Sequence, residues 1–198
     1  MRGGRPAYVS SAGRGDGAEH GRQKHKRDGG LITDVASGQI VVCGLSMPYS
    51  PRIYRDTLWL TNAGTGEFGR VELQRGRFEP LAFAPGFLRG LDFSGKYAVL
   101  GCSRTQGGEL FDGLPLQAVM RQKNLAPWHG LYVVALDTGA IVHWLQLDGA
   151  AVAIQAVAVL PNVRRPMAVE ADGDQAQVTV TVGPPDSLHR LYGAHSYS

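Results

Sequence analysis

The feature that most constrains this chain is a hairpin signature that returns at a nearly fixed spacing. Val35-Ala36-Ser37-Gly38-Gln39-Ile40, Leu73-Gln74-Arg75-Gly76-Arg77-Phe78 and Leu136-Asp137-Thr138-Gly139-Ala140-Ile141 share one pattern. Each runs from an apolar residue through two mostly polar ones to Gly, then one more residue, then an apolar one. Alternating apolar runs lie on both sides. Such a segment reads as a β-hairpin whose short loop needs Gly at a positive φ. Gly38 and Gly76 are 38 residues apart, while Gly76 and Gly139 are 63 apart. A second register accounts for the excess. Leu58-Trp59-Leu60-Thr61-Asn62 resembles Tyr97-Ala98-Val99-Leu100-Gly101 at an offset of 39, and Gly66 corresponds to Gly130 at an offset of 64. The difference places a 25-residue insertion in the second unit, and removing it restores a period of 38. A period of that size with four strands per unit sits just below the ~40–45 residues typical of propeller blades.

One unit is therefore expected at Met47–Ile53, Thr57–Asn62, Phe68–Leu73 and Phe78–Phe83. The next is expected at Leu88–Phe93, Tyr97–Cys102, Leu131–Leu136 and Ile141–Leu147. Final strands are expected at Val152–Leu160, Met167–Glu170 and Gln177–Val182. Within the insertion, residues 105–129, the positions Leu116, Val119, Met120 and Lys123 recur at helical spacing and predict one short helix. The fold class is all-β, a partial propeller of about three to four four-stranded blades. Residues 30–185 make up this domain. Residues 1–29 form a basic Gly/Arg-rich, partly flexible segment, and residues 186–198 a flexible tail.

Composition agrees with many short strands: 27 Gly and 11 Pro punctuate 198 residues that are 43% hydrophobic. The net charge of +3 is unevenly placed, with seven Lys/Arg against three Asp/Glu in residues 1–30, leaving the remainder at −1. The basic run His20 to Arg27 has no interleaved aromatics and reads as a solvated arm, so no nucleic-acid partner is assigned. The longest apolar stretch, Ala150 to Leu160, falls short of the roughly 18 residues a membrane span needs, and no apolar leader follows the first charges. A cytoplasmic location is expected. Cys43 and Cys102 both sit in strand-like runs and read as buried, reduced thiols.

Several collinear stretches resemble a bacterial family known only as domain of unknown function 4915. They include Leu45-Ser46-Met47-Pro48-Tyr49-Ser50-Pro51-Arg52, Thr65-Gly66-Glu67-Phe68-Gly69-Arg70-Val71 and Pro85-Gly86-Phe87-Leu88-Arg89-Gly90-Leu91. Phe111-Asp112-Gly113-Leu114-Pro115-Leu116 and Val159-Leu160-Pro161-Asn162-Val163-Arg164-Arg165-Pro166 also match. The resemblance implies a propeller-like fold and no known activity. It covers the C-terminal portion of family members, which are usually longer. Two positions depart from the family pattern: Gln155-Ala156 replaces an aromatic-acidic pair, and His129 replaces a Cys. A propeller short of several blades keeps open sheet edges, so self-association through them is expected.

No side-chain constellation announces a reaction. Ser50 and Arg52 stand at an inner-strand edge, where Arg offers a fork for carboxylate or phosphate; the alternative is a proline-shaped strand start with Arg52 in an internal salt bridge. Glu67 and Arg70 are candidates to line a site as a pair, although the glycines around them lack a phosphate-loop pattern. Arg89, amid apolar neighbours, is either paired inside the core or faces a channel. Arg164 and Arg165 are candidates to add positive charge nearby. Ser103 and Arg104, after a strand-like run, are further ligand-binding candidates; Ser103 with His129 or His143 as base is also a remote catalytic option without an elbow motif. No catalytic residue, metal ligand set or cofactor is assigned. The preferred reading is a non-catalytic binding propeller whose Arg-lined channel holds a small polar or anionic ligand. The alternatives are a metal-assisted propeller hydrolase or lyase, in which Glu67, Asn62 and Asp92 would converge, and a fragment of a longer propeller without function of its own.

Overall fold

Alternating apolar residues at two-residue spacing, closed by Gly turns, fold the described residues into three open antiparallel sheets. The computed structural model describes residues 5–13, 26–104, 113–126, 128–147 and 153–163. The chain divides into Met1–Pro161 and Asn162–Ser198, and nearly all described residues belong to the first unit. Sheet 1 has three strands in the order β1 (Tyr8–Ser11), β2 (Gly30–Asp34), β3 (Ile40–Leu45). Sheet 2 is a four-stranded meander of β4 (Pro48–Tyr54), β5 (Thr57–Asn62), β6 (Glu67–Glu72) and β7 (Arg77–Phe83). Sheet 3 repeats it with β8 (Phe87–Ser94), β9 (Tyr97–Ser103), β10 (Gly130–Ala135) and β11 (Ile141–Gln146). The eight strands expected for the two repeated units are all present, within one or two residues of the expected ends.

The hairpin signature does what its spacing requires. Gly38, Gly76 and Gly139 have φ of 69°, 60° and 73°, the left-handed region that a side chain makes costly. In the first of these turns Asp34 Oδ1 accepts from the Ser37 amide at 2.9 Å, an Asx turn that fixes the loop.

Sheet 2 lies between two apolar clusters, because successive residues on its strands point to opposite faces. Leu58, Leu60 and Val71 join Ile32, Val42 and Leu45 of sheet 1. Trp59 and Phe68 join Phe87, Leu88, Leu91, Leu100, Cys102 and Val134 of sheet 3. The register explains the sorting: Leu58 pairs with Val71 on one face and Thr61 with Phe68 on the other.

The insertion carries the expected helix, α1 (Pro115–Gln122). Pro115 stands where a missing N–H costs nothing. Leu116 and Met120, four apart, are its buried residues. The Leu116 amide, otherwise an orphan of the first turn, donates to the Gly64 carbonyl at 2.8 Å. Among the described residues no helix is long and apolar enough to cross a membrane.

Two expectations are corrected, and one strand appears that none of them included. The apolar run expected as a strand over Val152–Leu160 forms none across residues 153–160. Its amides are taken by side chains instead, Ile154 N–H by Ser103 Oγ at 2.8 Å and Val159 N–H by Asp92 Oδ2 at 2.7 Å. Residues 1–29, expected as a basic and partly flexible segment, include a strand, β1, paired antiparallel with β2 from Tyr8↔Asp34 to Ser11↔Leu31. Cys43, read as buried, is exposed on the edge strand β3, whereas Cys102 is buried; neither is in a disulfide. Expected strands Met167–Glu170 and Gln177–Val182, the run His20 to His25, the tail, Arg164 and Arg165 lie outside the described residues.

Candidate functional site

Two strand irregularities face each other where sheets 2 and 3 meet. The β4–β5 register shifts between Tyr49 and Arg52, and the β8–β9 register shifts between Leu88 and Leu91. A bulge leaves backbone groups unpaired and re-aims the side chains around it, which is why bulges gather at binding sites. Ser50 sits in the first with φ of 53°, and its Oγ accepts from the Gly90 amide in the second at 3.2 Å. That bond ties the two irregular segments together.

Arg89 is the side chain this arrangement presents. It is half-buried, and its Nη2 donates to Tyr49 Oη at 2.9 Å while Nη1 donates to Gln155 Oε1 at 2.6 Å. Its guanidinium lies 4.6 Å from the Tyr49 ring centroid and 5.3 Å from that of Phe87. Tyr49 and Phe87 themselves meet edge to face at 5.6 Å. The Arg89 Nε is buried with no partner. Every neighbour that holds this cation is neutral, and among the described residues no carboxylate pairs with it. A guanidinium offers five N–H donors, and two are engaged here.

The other candidate arginines are differently placed. Arg52 Nη1 meets Asp92 Oδ1 at 3.3 Å, the salt bridge weighed for it from the sequence. Arg70 does not pair with Glu67: it meets Glu79 on the neighbouring strand at 2.9 Å, on the surface. The reason is register, since Arg70 stands opposite Glu79 in the β6–β7 ladder. Glu67 turns into its own loop, where its Oε2 accepts from Thr65 Oγ1 at 2.7 Å and from Asn62 Nδ2 at 3.4 Å. Asn62 and Glu67 are thus brought together, but Asp92 is engaged with Arg52 and the Val159 amide. Among the described residues no group of three His, Cys, Asp or Glu could hold a metal ion.

Ser103 is buried, and the recorded partner of its Oγ is the Ile154 amide, not a histidine. Arg104 beside it is exposed. His129 is also buried, with both ring nitrogens unpartnered, as is the indole N–H of Trp128. His143 is exposed on β11. The Cys102 thiol, fully buried among apolar neighbours, is pushed up to about 12, so it stays protonated and unreactive at neutral pH. Sequence reasoning singled out Arg89, Ser50 and Arg52 as candidates but not Tyr49, Phe87 and Gln155, which hold Arg89. Phe87 stood two residues away as a signal; Tyr49 and Gln155 are 40 and 66 residues distant.

Among the described residues, the Arg89 guanidinium is oriented by neutral groups alone. In the comparison with known proteins, no curated protein matches the chain. Among solved structures it is similar to the computationally designed Ika8 protein, at 17% identity and a TM-score of 0.39. The likeness covers 67% of this chain and 35% of that one, so the chain spans about a third of that structure's length. The family model described as "Domain of unknown function (DUF4915)" matches residues 1–169. With most of its length matched in this way, the chain belongs to the family of that domain of unknown function.

Proposed function

We propose that this chain is a non-catalytic, propeller-type binding module in which Arg89 holds the anionic group of a small polar ligand. The observation that carries the reading is the half-buried guanidinium held by Tyr49, Phe87 and Gln155, with no carboxylate paired to it among the described residues. Leaving a cation partly desolvated among neutral groups costs free energy, and an arriving carboxylate or phosphate recovers it through charge-assisted, forked hydrogen bonds. The propeller part of the reading is supported by two consecutive four-stranded meanders at a period near 39 residues whose first strands, β4 and β8, lie side by side. The two unbridged cysteines fit a cytoplasmic setting.

The test is a thermal-shift titration of the whole chain with inorganic phosphate and with succinate at fixed ionic strength. At least one anion is expected to raise the melting temperature of the wild type. In Arg89→Met the apparent affinity is expected to fall roughly ten- to a hundredfold, the worth of about 1.5–3 kcal/mol per hydrogen bond to a charged group. Arg70→Met, which removes a surface pair instead, is expected to respond like the wild type. No response to either anion, or an equal response in Arg89→Met, would overturn the reading.

A further inference from the structure

An edge strand presents a row of unpaired backbone groups, and folded chains guard such edges with charge, proline, bulges or brevity. Among the described residues, five of the six edge strands are guarded. The strand β1 has four residues. The β3 edge contains Gly44 at φ 78°, and its register with β2 shifts twice. Pro48 and Pro51 interrupt β4, which is also bulged, as is β8 with Arg89 and Asp92. The outer strand β7 carries Arg77, Glu79 and Pro80.

The outer strand β11 is the exception. Ile141-Val142-His143-Trp144-Leu145-Gln146 contains no Asp, Glu, Lys, Arg or Pro, and all six residues are exposed. Trp144 is 63% exposed, Leu145 54%, Val142 41% and Ile141 40%. From His143 to Gln146 the strand is in regular register with β10, so its outer edge is straight there. Trp144 stands on the same face as Tyr132 and extends an aromatic ledge, with its ring 5.2 Å from that of Trp128.

We propose that β11 is a self-association edge, and that two copies of this chain pair antiparallel through it about a two-fold axis centred on Trp144. An antiparallel pair related by a two-fold places each residue opposite one on the same face. Centring on Trp144 sets the two indoles side by side and puts His143 of each copy opposite Leu145 of the other. Cross-strand aromatic and apolar pairs of this kind stabilise a ladder, and no like charges oppose one another. A second copy is the occupant because the strand is uncharged along its whole length and so complements itself. The exposed apolar side chains offer on the order of 400 Å² per copy, about half the roughly 800 Å² per partner of a standard interface. The dimer is therefore a weak, concentration-dependent one, with register set by the backbone ladder.

Sedimentation velocity of the full chain, from low micromolar to near-millimolar concentration, tests this. The average mass of the wild type is expected to climb towards twice that of one chain. Trp144→Lys is expected to remain at the single-chain mass, while Leu73→Lys, at an exposed apolar residue in the β6–β7 turn, climbs like the wild type. Amide hydrogen exchange along β11 should slow as concentration rises, and exchange along β7 should not. That second measurement uses the wild type, so it decides the matter even where Trp144→Lys fails to fold. A constant single-chain mass overturns the proposal. So does a rise that Trp144→Lys leaves intact, or one during which β11 amides exchange at an unchanged rate.

Discussion

Cys102 has no measurable exposure, and its environment supplies no charge or donor that would favour a thiolate. Burial therefore raises its thiol from 9.0 to about 12. The neighbouring hydroxyl of Tyr132 is raised as well, first by its own burial and then by repulsion from a Cys102 thiolate. In the unfolded chain the thiol loses its proton near its ordinary value, while the folded chain keeps it, so folding carries a proton that alkaline solution pulls away. Stability present below pH 9.0 is expected to be lost progressively as the pH rises towards about 12. The limiting slope is about 1.4 kcal/mol per pH unit for a single group. Urea denaturation at several pH values checks this: in Cys102→Ala the baseline stability should be lower, but its decline with pH shallower. An equal decline would mean that Cys102 titrates normally in the folded chain. Cys43 shows where residue-scale reading stops. Both cysteines stand in apolar, strand-like runs, but Cys43 lies on an edge strand and is exposed. The composition of a run does not say which of its residues meets the core. The arginines teach the same lesson: Arg52, Arg70 and Arg89 look alike in sequence, but carboxylates 40 and 9 residues away pair with the first two, while neutral Tyr49 and Gln155 hold the third.

At the scale of elements, period was the legible quantity. Gly turns and alternating apolar residues are local, and they located both four-stranded meanders and the 25-residue insertion between β9 and β10. The insertion helix was legible for the same reason, since Leu116 and Met120 fall on one face. Pairing was not legible. The run 153–160 has strand composition, yet two of its amides go to the Ser103 and Asp92 side chains, partners that lie 51 and 67 residues away and that no local pattern reveals. The strand β1 was missed because a Gly/Arg-rich neighbourhood masks four residues whose partners lie in β2. The helix has a consequence that can be measured. Leu116 is fully buried, and its amide holds the Gly64 carbonyl of the β5–β6 turn. Leu116→Ala leaves helix propensity intact and removes only packing. A loss of about 2–5 kcal/mol by urea denaturation is expected, as for other buried Leu truncations. Val119→Ala, at a half-buried position of the same helix, is expected to cost clearly less. Equal effects would mean that the helix is not seated by Leu116.

Across the whole molecule, sheet 2 is shared property. Its strands put Leu58, Leu60 and Val71 into one cluster and Trp59 and Phe68 into the other. Neither cluster is complete without it, because sheets 1 and 3 each supply only one wall. Loss of packing on one side therefore removes support for the strands that build the other side, and the three sheets are expected to unfold as a single cooperative unit. Two truncations distinguish this from independent blades. Ile32→Ala cuts into the cluster between sheets 1 and 2, and Leu88→Ala into that between sheets 2 and 3; both residues are fully buried. Each is expected to cost about 2–5 kcal/mol. Trp59 reports from the second cluster by fluorescence, while circular dichroism reports on all strands. With a shared sheet, Ile32→Ala moves the Trp59 fluorescence midpoint as far as it moves the circular dichroism midpoint, although Ile32 lies in the other cluster. If Ile32→Ala splits the circular dichroism transition and leaves the fluorescence midpoint where it was, the sheets unfold separately, and stability resides in each sheet pair instead of in the stack.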